Sequence, residues 1–185
     1  NIPDVGVITL GLHCGFGKTS GIIKDILEKY NSVLILCHRL SALANLANEL
    51  DIEFHDQIRD ECNREDAPRE VYLERVRAAR KIAITDKSLP LLSEKGFLRA
   101  KFDLVVIDEV EHYLAAHENK KLLATRGQDW GMTERAYIDL VAIARHAKCL
   151  ILADDAASYE LTGWFADLMR REMKTNKFLM QSCND

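Results

Sequence analysis

Two short stretches carry residue types whose spacing suits phosphate chemistry. The first, Gly11-Leu12-His13-Cys14-Gly15-Phe16-Gly17-Lys18-Thr19-Ser20, sets glycines, a cation and two hydroxyls between an apolar run and an amphipathic stretch. Glycines let the backbone curl around phosphate oxygens, and the free N–H groups of a helix start face the anion. Gly15, Phe16, Gly17, Lys18, Thr19 and Ser20 therefore read as a phosphate-binding loop. The usual G-x-x-x-x-G-K-[ST] pattern asks for glycine where this chain has Leu12, and Gly11 is out of register by one. The second stretch is Asp108-Glu109, which closes the apolar run Leu104-Val105-Val106-Ile107.

Phosphoryl transfer to water needs a gripped triphosphate, a Mg²⁺ between its β- and γ-oxygens, and a carboxylate that orients the attacking water. Lys18 is the candidate for neutralising the phosphates, Thr19 and Asp108 for holding Mg²⁺, and Glu109 for the water. ATP and Mg²⁺ are the expected cofactors. A second carboxylate favours hydrolysis over transfer to a bound hydroxyl, which weighs against a small-molecule kinase.

These residues need elements that bring them to one place. Val5–Leu10 is a β-branched run leading straight into the loop, and Lys18–Tyr30 carries Ile22, Ile23, Ile26 and Leu27 at helical spacing. Val33–Cys37 reads as a second strand ending in His38-Arg39, and Ser41 caps a helix through Leu50. Ile52–Phe54 suggests a small strand. The densely charged stretch from His55 to Arg69 is expected to be a surface excursion, followed by a solvated helix over 70–81. Ile82–Thr85 and Phe102–Glu109 are further strands, the latter buried on both faces. Val110–His117 continues as helix or turn, residues 118–131 form a polar loop, and Thr133 caps a helix through Ala147. Cys149–Ala153 is the last core strand, running into Asp154-Asp155, and a helix over 159–173 leads to a basic tail. Alternating strands and helices predict a three-layer α/β sandwich around a mainly parallel sheet. Ligands of such sheets bind beyond the carboxyl ends of the strands, where every motif above falls.

Composition sets bounds on this picture. With 185 residues, the chain is long enough to bury a core without disulfides or metals. Its five cysteines are odd in number and never form C-x-x-C, so neither a disulfide framework nor a standard zinc site is indicated. No apolar run reaches membrane-spanning length and the start lacks a basic-then-apolar leader, so a cytoplasmic location is expected. The net charge of −4 argues against a stand-alone nucleic-acid binder, though less against one lobe of a motor. The chain opens into a strand without a starting methionine, the expectation being an excised fragment.

The loop Leu12-His13-Cys14-Gly15-Phe16-Gly17-Lys18-Thr19 resembles the A-x-x-G-x-G-K-[ST] variant of superfamily 2 helicases, with Leu12 larger than that variant favours. Asp108-Glu109-Val110-Glu111 departs from the commonest helicase forms and is similar to that of origin-binding-protein helicases and related plasmid and phage replication helicases. The resemblance implies a RecA-like ATP-binding lobe. It implies nucleic-acid contacts for Arg39, after the second strand, and for Thr85 and Ser88, although both hydroxyls equally suit helix capping. It implies that Asp154 and Asp155 stand in the place of the motif coupling hydrolysis to movement, in an acidic form. On this reading residues 1–175 are the lobe and 176–185 a linker towards a second RecA-like lobe. The expected partners are that lobe and single-stranded or forked DNA, with RNA possible. A P-loop kinase, another NTPase or a nucleotide-gated interaction module are the alternatives.

Overall fold

The computed structural model describes residues 6–11, 23–94, 97–98, 100–118, 130–154, 161–175 and 178–182. In chain order the main elements are strand β1 (Gly6–Gly11), helix α1 (Lys24–Leu27), β2 (Val33–Cys37), α2 (Leu40–Leu50), β3 (Glu53–Phe54), α3 (His55–Arg64), α4 (Arg69–Ala78) and β4 (Lys81–Thr85). A 3-10 segment (Asp86–Leu92) and a small antiparallel pair, β5 (Ser93–Glu94) with β6 (Phe97–Leu98), follow. Then come β7 (Leu104–Asp108), α5 (Val110–Glu118), α6 (Trp130–His146), β8 (Cys149–Asp154), α7 (Leu161–Glu172) and β9 (Phe178–Ser182).

Among the described residues seven strands form one sheet in the order β3-β4-β2-β7-β8-β1-β9, and all their pairings are parallel. Each central strand is covered on both faces, which is why its sequence is a near-continuous apolar run. Alternate residues serve opposite faces. Leu34, Ile82, Val105, Ile107, Leu150 and Leu152 pack under α3 to α7, whereas Ile35, Ala83, Val106, Ile151 and Ala153 pack under α1 and α2. The result is the expected three-layer α/β sandwich. At the amino edge, Lys148 pairs with Asp103 at 2.9 Å and Ser32 donates to the same carboxylate, tying the starts of β2, β7 and β8 together.

Two stretches differ from expectation. The stretch read as a surface excursion contains α3, whose inner face buries His55, Asp56, Ile58 and Cys62. Charge is the dominant signal there, and only the four-residue spacing of Ile58 and Cys62 marks an inner face. Beyond residue 175, where a linker is expected, β9 runs parallel to β1 from Val7↔Phe178 to Gly11↔Ser182. Among the described residues no helix is long and apolar enough to cross a membrane.

Candidate functional site

Because the strands are parallel, their carboxyl ends lie along one edge, and the register places the candidate residues there. Gly11 is opposite Asp154, Ala153 opposite Asp108, and Cys37 opposite both Asp108 and Thr85. Moving along the sheet, the edge therefore offers Thr85 of β4, the Cys37-His38-Arg39 exit of β2, Asp108-Glu109 at the end of β7, Asp154 of β8, and the exit of β1. Gly15, Phe16, Gly17, Lys18, Thr19 and Ser20, together with Asp155, lie outside the described residues. The strand that launches that loop ends at the same edge, with β8 alone between it and β7.

Glu109 is the most constrained of these groups. It has φ of 54°, in the left-handed region that a side chain rarely adopts, and turns the chain from β7 into α5, where the Tyr113 N–H donates to its carbonyl at 3.1 Å. Arg39 grips both of its carboxylate oxygens, Nε donating to Oε2 at 2.9 Å and the terminal nitrogen to Oε1. The Cys37 thiol also donates to Oε2, at 3.5 Å. The Arg39 hydrogen bonds hold the Glu109 carboxyl below the usual carboxylate range, against the opposing effect of burial. Burial pushes the Cys37 thiol up to about 12, so at neutral pH it remains a neutral donor.

Asp108 is buried at the end of β7. A carboxylate at a strand end is a hard oxygen donor suited to Mg²⁺, so the described part of the site fits the expected metal. Asp154 is also buried, and its Oδ2 accepts the Glu111 N–H of the first turn of α5 at 2.9 Å. Glu111 in turn accepts from the Thr162 hydroxyl of α7 at 3.4 Å. The end of β8 is thus tied to the helix that follows the Asp-Glu pair.

On the β4 side the hydroxyls of Thr85 and Ser88 are 2.9 Å apart, and Ser88 lies 3.0 Å from His55 Nε2. The same nitrogen is 3.2 Å from Asp56, whose carboxylate pairs with Arg59 at 3.0 Å. Burial lowers the His55 pKa, leaving the ring uncharged at neutral pH. Since one nitrogen faces both Ser88 and Asp56, this is a positioning network and not a proton relay. His38 Nδ1 contacts the buried Asp86 at 3.1 Å, anchoring the turn that leads to Arg39.

The structure brings Arg39, Asp108, Glu109 and Asp154 to one edge, with Thr85 and Ser88 beside them. Sequence reasoning missed Cys37 as a donor to Glu109, and His55 and Asp86 as supports. Their signal was position alone, at the end of β2, the start of α3 and the end of β4.

No curated protein matches the chain. Among solved structures, a hypothetical ATP-dependent RNA helicase from Sulfolobus tokodaii aligns with a TM-score of 0.58 and 19% identity, over 96% of this chain and 48% of that one. The Hef helicase domain of Pyrococcus furiosus aligns with a TM-score of 0.55 and 18% identity, over 98% of this chain and 36% of that one. The chain thus spans about half or less of either, and the likeness shows the fold, a RecA-like α/β lobe. Residues 6–152 match the ResIII family, described as Type III restriction enzyme, res subunit. That match takes in β1 to β7 and most of β8, and the chain belongs to this family.

Proposed function

We propose that this chain is the first RecA-like lobe of a nucleic-acid-dependent ATPase, hydrolysing ATP in a longer protein in which a second lobe closes over the nucleotide. The observation that supports this most is the shared carboxyl edge, where β1, which leads into the phosphate loop, and β7, which ends in Asp108-Glu109, are separated by β8 alone. Lys18 would hold the β- and γ-phosphates and Thr19 and Asp108 would hold Mg²⁺, which would supply neutralisation of the phosphates' negative charge. Glu109 orients the attacking water and takes up its proton. Water oxygen then bonds to the γ-phosphorus as the bond to the β-γ bridging oxygen breaks, leaving ADP and phosphate.

Arg39, Thr85 and Ser88 lie on the side of the edge away from β1 and form the strand contacts, with single-stranded or forked DNA as the proposed ligand. One structural neighbour is titled an RNA helicase, so RNA is the competing ligand to test. Asp154 and Asp155 carry the coupling role. Asp154 bonding to the first turn of α5 supports this, because that turn follows Glu109 directly. The acidic forms Asp108-Glu109-Val110-Glu111 and Asp154-Asp155 favour a replication helicase of the origin-binding type.

The test is ATP turnover by the two-lobe protein, with and without oligo-dT or oligo-U, beside Glu109→Gln. Stimulation by one nucleic acid is expected, with the variant still binding nucleotide and its turnover reduced about a hundredfold or more. Turnover indifferent to nucleic acid, or an unaffected variant, would overturn the reading.

A further inference from the structure

Arg39 stands between two sets of groups. In the sheet order β4-β2-β7 it leaves the middle strand, with the Thr85–Ser88 hydroxyl pair on one side and Glu109 on the other. Its side chain is 58% exposed, whereas that of Glu109 is 16% exposed, so the guanidinium is the accessible half of the pair. A carboxylate and a phosphodiester both offer paired oxygens to a guanidinium fork, and one fork serves one of them at a time.

The pair also bears on what Glu109 can do. An ionised carboxylate has roughly four acceptor positions, and Arg39 with Cys37 takes about three of them. Little capacity is left to orient a water. If Arg39 turned towards the β4 side, the Cys37 thiol would remain on Oε2, and Oε1 would be open.

Resting on the nucleic-acid motor reading above, we propose that Arg39 is a positioning residue shared by both sites: a strand phosphate draws its guanidinium off Glu109, and the released carboxylate then orients the water. Strand occupancy and hydrolysis are thereby linked by exchange of one ion pair. The contact resembles a brake that the nucleic acid removes.

The consequences are reciprocal, because a coupling free energy acts equally in both directions. In the two-lobe protein, Arg39→Ala is expected to raise turnover without nucleic acid several-fold and to lose most of the stimulation. It also weakens oligo-dT or oligo-U binding measured without nucleotide, and lowers the log–log salt slope by about one. Arg39→Lys keeps the charge without the fork and falls between. Glu109→Gln, inactive in turnover, binds the oligonucleotide several-fold more tightly than wild type, and this gain disappears when Arg39→Ala is added.

A lower unstimulated turnover in Arg39→Ala with the stimulation factor intact would mean that Arg39 only orients Glu109, and overturns the proposal. So does unchanged oligonucleotide affinity in Glu109→Gln. A wild-type protein that neither binds nor responds to either oligonucleotide fails differently, removing the motor reading and this proposal with it.

Discussion

Glu109 combines a costly backbone with a strongly held side chain. A left-handed φ in a residue with a side chain costs about 1–2 kcal/mol, and it persists where the surroundings fix it, here through Arg39, Cys37 and the start of α5. The ion pair gives the site a defined acid response. Arg39 depresses the folded-state pKa of Glu109 below its ordinary 4.5, so the pair stabilises the fold above that value. That stabilisation is lost as the pH falls through the depressed folded-state value. Arg39→Ala should therefore lower stability at neutral pH by up to about 1 kcal/mol, the scale of a half-exposed pair. Urea unfolding at a series of pH values should show this gap closing below the ordinary carboxylate range. A gap that stays constant into strong acid would assign the loss to Arg39 packing and not to its charge.

At the scale of elements, a partly buried hydrogen bond joins β8 to α5. Asp154 supplies from another strand the acceptor that the first turn of a helix lacks, at the Glu111 N–H. Asp154→Ala should cost about 1–2 kcal/mol and speed amide exchange in α5, whereas Asp154→Asn, which keeps an acceptor, should cost less. If exchange in α5 were unchanged by the alanine, the bond would not be what fixes that helix. The strands around this contact were legible because each is an apolar run ending in a polar motif. Helix α3 was not, because it buries His55 and Asp56 in mutual contact and a charge-dense stretch reads as surface. The grouping of Arg39, Asp108 and Asp154 at one edge followed from strand alternation alone. The pairing of Arg39 with Glu109 did not, since it joins residues 70 apart and depends on β2 lying beside β7.

For the whole molecule, the sheet order decides which strands need protection. β1 leads into the phosphate loop, and its neighbours are β8 on one side and β9 on the other. Its residues Val7, Ile8 and Leu10 are fully buried. A parallel strand of this kind, left at a sheet edge, offers unpaired amides and carbonyls to another chain. Residues beyond 175 read in sequence as a tail because the stretch is short and follows a helix, with nothing local to announce a parallel partner more than 160 positions earlier. Ending the chain at Thr175 tests which description governs. If β9 is part of the lobe, the shortened chain should unfold at a lower temperature and scatter light on standing, because β1 has become the edge. Its affinity for nucleotide should fall as well, since the loop would leave from a frayed strand. If the shortened chain instead matches the full one in midpoint, solubility and nucleotide affinity, the pairing contributes nothing to the lobe and the segment serves as a linker.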